Sequence, residues 1–113
     1  MKEIKAYIKR HKLSSVTLAL QKIEGLTGVS VSEVRGFGRG RARNVPDKVT
    51  EDLVDFIPQV KLEIICRDEL VETIVSTIEQ AARTSLRGDG KIYVSPVEAA
   101  IRISTGERGI KAV

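Results

Sequence analysis

The run Val60-Lys61-Leu62-Glu63-Ile64-Ile65-Cys66-Arg67 alternates, and Asp68-Glu69-Leu70-Val71-Glu72-Thr73-Ile74-Val75 abandons that alternation at once. In the first run Val60, Leu62, Ile64 and Cys66 share one side, with Lys61, Glu63, Ile65 and Arg67 on the other, as in a strand buried on one face. In the second, Val71, Ile74, Val75, Ile78 and Ala82 recur at helical spacing and form one apolar stripe. Asp68 and Glu69 suit the start of that helix, by capping and by the helix dipole. One strand therefore feeds directly into one amphipathic helix.

The same grammar extends to both sides. Residues 3–9 alternate, with Ile4, Ala6 and Ile8 facing one way. Val16, Ala19, Leu20 and Ile23 then make a helical stripe, with Ser14 placed to cap it and Leu13 to pack on Leu18 as a hydrophobic staple. Gly25 and Gly28 lead into a second strand over 29–35, whose apolar phase shifts between Val31 and Val34 as at a bulge. A fourth strand over 92–94 is broken by Pro96. The order strand–helix–strand–strand–helix–strand is the split β-α-β pattern of a ferredoxin-like α+β fold. Right-handed crossovers put both helices on one face of an antiparallel sheet. Val34 and Ile65 fall on the opposite face, which implies self-association through the sheet.

The 113 residues suit one domain, 1–113, and no apolar run approaches the 18 or so residues of a membrane span. The N-terminus alternates charge and apolar residues, unlike a signal or transit peptide. Cys66 is the single cysteine, so neither an internal disulfide nor a cysteine-based zinc site is available. The expected compartment is the cytoplasm. Fifteen acids are interspersed among nineteen bases, so the net charge of +4 says little, but its distribution says more. Arg35, Arg39, Arg41 and Arg43 are interleaved with Gly36, Gly38 and Gly40, without an acid. From 38 to 54 no period holds, and a segment of that length is usually functional. Gly88-Asp89-Gly90-Lys91 is a second candidate: glycines let backbone approach a phosphate chain closely, and Lys91 adds a point charge. Taken alone, Gly88-Asp89-Gly90 is usually just a hairpin turn. His11 has no second histidine to share a metal, and no metal site is expected.

Several blocks, in order and at matching spacing, resemble the P-II nitrogen-regulatory signalling proteins. They are residues 27–39, Val54-Asp55-Phe56-Ile57-Pro58, Lys61-Leu62-Glu63-Ile64, Gly88-Asp89-Gly90-Lys91-Ile92 and Ile101-Arg102-Ile103-Ser104-Thr105-Gly106-Glu107. The resemblance runs almost end to end and implies a homotrimer with ATP or ADP, or AMP, in each cleft between subunits, magnesium accompanying ATP. It makes about 38–54 the family's T-loop, 84–91 its B-loop and 102–107 its C-loop. It implies that Gly36, Phe37, Gly38, Arg39, Gly88, Asp89, Gly90, Lys91 and Arg102 line the phosphates and ribose. Arg39 and Arg102 would offer charge-assisted bonds of about 1.5–3 kcal/mol each. Ser30, Glu63 and Ile65 would lie near the base, with Gly28 and Ser30 supplied by the neighbouring subunit. It further implies that T-loop residues, here Arg41, Arg43, Asn44, Asp47, Lys48, Glu51 and Asp52, meet a protein partner such as a membrane transporter or a metabolic enzyme. No enzyme chemistry, nucleic-acid partner or membrane insertion is expected.

The departures from the family's pattern are specific. Members that sense 2-oxoglutarate place a glutamine just after the Gly-Phe-Gly-Arg run, where it helps hold magnesium; here Gly40 stands there. They place a lysine after Phe-Leu-Pro to pair with the oxoacid; here Gln59 stands there. Weak or absent 2-oxoglutarate binding is the expectation. Ser104 replaces a second C-loop arginine, which lowers ATP affinity or tilts the site toward ADP or AMP. Asp52 replaces the tyrosine that many relatives present for uridylylation. Among rival readings, an RNA-recognition module shares this order of elements, and Arg35-Gly36-Phe37-Gly38 imitates the start of its signature, with Tyr7 as a stacking residue. That signature belongs on the third strand, and two Phe, two Tyr and no Trp make a poor stacking platform. Another trimeric ferredoxin-like binding protein would share the architecture but not the nucleotide blocks.

Overall fold

The computed structural model describes residues 1–37 and 57–113. The strands are β1 (Lys2–Ile8), β2 (Ser30–Gly36), β3 (Ile57–Cys66) and β4 (Lys91–Pro96), and the helices are α1 (Leu13–Gln21) and α2 (Val71–Ala82). They form one antiparallel sheet in the order β2-β3-β1-β4, which is the ferredoxin-like α+β arrangement expected. β1 lies between β3 and β4, with Ala6 opposite both Leu62 and Ile92.

The alternation in the sequence becomes the two faces of this sheet. Ile4, Ala6 and Ile8 of β1 and Val60, Leu62, Ile64 and Cys66 of β3 are buried beneath Val16 and Leu20 of α1 and Ile74, Ile78 and Ala82 of α2. Each of the larger side chains contributes about 1.5–3 kcal/mol by leaving water. Burial also pushes the Cys66 thiol pKa up. The other face carries Glu3, Lys5 and Tyr7 of β1, Lys61, Glu63 and Ile65 of β3, and Lys91 and Tyr93 of β4; register adds Val34 from β2. Val34 and Ile65 thus lie where the alternation put them, away from the helices.

Three local expectations fail, each for a physical reason. Ser14 and Asp68 cap nothing, because each helix is entered through a 3-10 turn, Arg10–Lys12 or Asp68–Leu70. Backbone bonds from Lys12 N to Lys9 O (3.0 Å) and Leu70 N to Arg67 O (3.1 Å) satisfy donors that a cap would otherwise take. Asp68 instead accepts from the N-terminal ammonium at 2.8 Å, which lowers its pKa. Leu18 makes no staple: it is 61% exposed, while Leu13 packs on the core. Nor does β2 bulge, since its pairing with β3 is unbroken from Ser30 opposite Glu63 to Gly36 opposite Ile57. Val31 and Val34 simply lie on opposite faces of an edge strand, whose outer rim the helices do not cover.

These assignments separate two substitutions. Ile78→Val, which trims a fully buried side chain, is expected to cost about 1 kcal/mol and lower the melting temperature by roughly 4 °C. Leu18→Ala should change stability by less than about 0.5 kcal/mol, because little apolar surface is lost there. Thermal unfolding followed by circular dichroism distinguishes them, and a large loss at Leu18 would restore the staple.

Candidate functional site

A broad concavity opens where the ends of β1, β2 and β3 meet the loop before β4. Its walls include Lys9, Arg10 and His11 after β1, Arg35, Gly36 and Phe37 at the end of β2, Gln59 on β3, and Arg87 through Lys91. Gly36, Phe37, Gly88, Asp89, Gly90 and Lys91, named from sequence, therefore come together in one cleft. Five cationic side chains (Lys9, Arg10, Arg35, Arg87 and Lys91) line it against the single carboxylate of Asp89.

That carboxylate is already engaged. It accepts the Thr84 amide at 2.9 Å and the Thr84 hydroxyl, and the Lys9 ammonium lies 3.2 Å away. These bonds, those from Thr84 foremost, hold the Asp89 pKa down at about 2. Asp89 thus shapes the loop rather than pointing bare charge at a ligand. The loop backbone is unusual: Ser85, Gly88 and Gly90 all take positive φ, of 69°, 81° and 103°. At Gly90 a side chain is excluded outright, since a Cβ there would lie 1.6 Å from the Tyr7 carbonyl oxygen. Glycine is needed for the loop to cross the end of β1.

The remaining candidates sit elsewhere in the chain. Ser30 and Glu63 are cross-strand partners, with Ile65 on the same face. Gly28, two residues before Ser30, belongs to the same end of the sheet. Ser30 lies six residues from Gly36 along β2, about 20 Å at strand rise. Arg102 stands on a C-terminal hairpin closed by Arg102 N to Glu107 O (2.9 Å) and Gly106 N to Arg102 O (2.7 Å), and its guanidinium lies 3.7 Å from the Glu107 carboxylate. Gly38, Arg39, Gly40, Arg41, Arg43, Asn44, Asp47, Lys48, Glu51 and Asp52 lie outside the described residues, as does the whole T-loop span 38–54.

Sequence reading missed Lys9, Arg10, His11 and Arg87 as cleft residues. Lys9 and Asp89 are 80 positions apart, and only the pairing of β1 with β4 unites them. A basic cluster directly after the first strand was the available signal. On the open face Tyr7 and Tyr93 meet edge to face, their centroids 6.1 Å apart. Among the described residues no helix is long and apolar enough to cross a membrane.

A ferredoxin-like domain with a basic cleft built on a glycine-bearing loop carries a charge suited to attracting an anion. The comparison with known proteins makes it more specific. The model for the family "Nitrogen regulatory protein P-II" matches residues 1–107, and the chain belongs to that family. Proteins named nitrogen regulatory protein P-II are 50% identical in Cereibacter sphaeroides and 49% identical in Bradyrhizobium diazoefficiens, over 113 residues and the full length of both partners. A crystal structure of Arabidopsis thaliana PII bound to citrate superposes with a TM-score of 0.80 at 39% identity, covering 99% of this chain and 91% of that one. The chain is thus a signalling and regulatory protein by family. The relatives carry the names of regulators rather than enzymes.

Proposed function

We propose that this chain senses adenine nucleotide as a homotrimer, binding ATP or ADP in each cleft between subunits, and controls a partner protein through residues 38–54. The observation that carries the proposal is the cleft itself: five cations face one carboxylate that Lys9 and Thr84 already hold. Such a surface favours a compact polyanion, and the residues present fit a phosphate chain. Citrate bound to the Arabidopsis relative is also a polyanion.

The trimer draws support from distance. The base-end residues Gly28, Ser30, Glu63 and Ile65 and the phosphate-end residues Gly36, Phe37, Gly88, Gly90 and Lys91 are separated along β2 by about 20 Å within one chain. A site using both sets is completed more readily by two copies than by one. Arg39 and Arg102 join the phosphate end, magnesium accompanies ATP, and AMP is a weaker ligand because it makes fewer charge-assisted bonds. Residues Arg41, Arg43, Asn44, Asp47, Lys48, Glu51 and Asp52 meet the partner, with a membrane transporter as the leading candidate. The protein acts in the cytoplasm and does no chemistry of its own.

Calorimetry with ATP, ADP and AMP, run beside sedimentation analysis, tests this reading. Saturable heat from a trimer is the expected result; a monomer that gives no heat with any adenosine phosphate would end it. The partner is sought by pull-down with and without each nucleotide, comparing the intact chain with one lacking residues 43–52. Equal capture by both chains would move recognition away from the loop.

A further inference from the structure

The contacts around Thr84 assign it a role that the ligand-lining residues do not have. We propose that Lys9, Thr84 and Asp89 form a latch that fixes the 84–91 loop in its ligand-ready shape before an anion arrives, with Thr84 as the positioning residue. The inference rests on the nucleotide reading above and specifies how that site is prepared.

Every hydrogen-bonding capacity of the Thr84 hydroxyl is used inside the chain. It donates to Asp89 and accepts from the Lys9 ammonium and the Leu86 amide, each at 3.1 Å. Its backbone amide reaches the second carboxylate oxygen of Asp89 at 2.9 Å. The six residues from Thr84 to Asp89 are thereby tied end to end, and Lys9 ties them to the end of β1. The tie offsets a real cost, because the loop contains three positive φ values and one of them belongs to Ser85. It also neutralises Asp89, which would otherwise repel an incoming phosphate. Lys9 is committed to that task. Arg35, Arg87 and Lys91 have no ion-pair partner among the described residues.

A loop set in advance does not charge its ordering entropy to the ligand, so the latch should appear in affinity without contacting the nucleotide. Thr84→Val keeps the shape and removes the hydroxyl, whereas Thr84→Ser keeps the hydroxyl. Calorimetry on the full chain is expected to show Thr84→Val weakening ATP about tenfold, roughly the worth of one charge-assisted hydrogen bond, and AMP by less. Thr84→Ser should stay within about threefold of the parent. A merely structural defect would reduce both nucleotides equally. Hydrogen exchange on the nucleotide-free protein supplies an independent reading: the Thr84 and Leu86 amides should be protected in the parent and the Leu86 amide released in Thr84→Val.

Parent protein that binds ATP while Thr84→Val binds it equally well would overturn the latch and spare the nucleotide reading. So would Thr84 and Leu86 amides that gain protection only when ATP is added. No heat from the parent with either nucleotide would remove both proposals together.

Discussion

Gly90→Ala is expected to abolish nucleotide binding and to destabilise the protein by about 3 kcal/mol or more. The new Cβ would sit 1.6 Å from the Tyr7 carbonyl oxygen and 2.7 Å from its carbon, both backbone atoms of a central strand. Neither can yield without breaking the β1–β4 ladder, in which Tyr7 pairs with Lys91, the very next residue. The φ of 103° adds strain for any residue bearing a side chain. Gly88→Ala is the control. It also has a positive φ, of 81°, but its Cβ would meet only the flexible end of Lys9 at 3.8 Å. That substitution should cost only about 1 kcal/mol, the ordinary penalty of a left-handed alanine. Melting temperatures differing by on the order of 10 °C between the two variants, read by circular dichroism, are the expected outcome. Equal and small losses would mean that the loop does not cross the end of β1 as described.

The contrast between these glycines shows where sequence reading reaches its limit. Gly88-Asp89-Gly90 marked a close-approach loop, yet nothing local separated the glycine that must be there from the one that is merely comfortable. That distinction comes from Tyr7, more than eighty residues away. The same holds for Asp89, whose ties to Thr84 and Lys9 no local feature of the sequence announced. Elements buried on one face were legible throughout, because a helix or strand that covers a core must repeat its apolar residues at its own period. Leu62 and Ile74 are where the pattern required them, both fully buried. The edge strand β2 escaped that discipline: outside the cover of the helices, its phase carried no core constraint, and an apparent bulge was only a two-sided strand. Caps failed for a related reason, since a 3-10 turn satisfies a helix start without leaving any side-chain signature.

The second large effect concerns 2-oxoglutarate. The parent chain is expected to show no saturable binding at concentrations where ATP binds, and Gly40→Gln together with Gln59→Lys should raise affinity for the oxoacid roughly a hundredfold. Gln59 lies on β3 within the cleft, its side-chain amide oxygen 3.9 Å from where a Gly36 Cβ would stand. An amide there presents dipoles where a dicarboxylate would need a full charge. Two of the neighbouring cations are already engaged: Lys9 is held by Asp89, and Arg10 lies 3.8 Å from Glu33. Restoring a cation opposite a carboxylate, and a side-chain carbonyl for magnesium, supplies about 3 kcal/mol together, which sets the hundredfold. Because residues 40 and 59 would act on one ligand, each single variant should recover less than the square root of the combined gain, and the shortfall measures their coupling. Calorimetry in ATP and magnesium decides it. Micromolar binding by the parent would show that the cleft recruits its cation elsewhere, with Arg87 the first residue to substitute. A double variant no better than the parent would instead mean that residues 40 and 59 do not converge on one ligand in this chain.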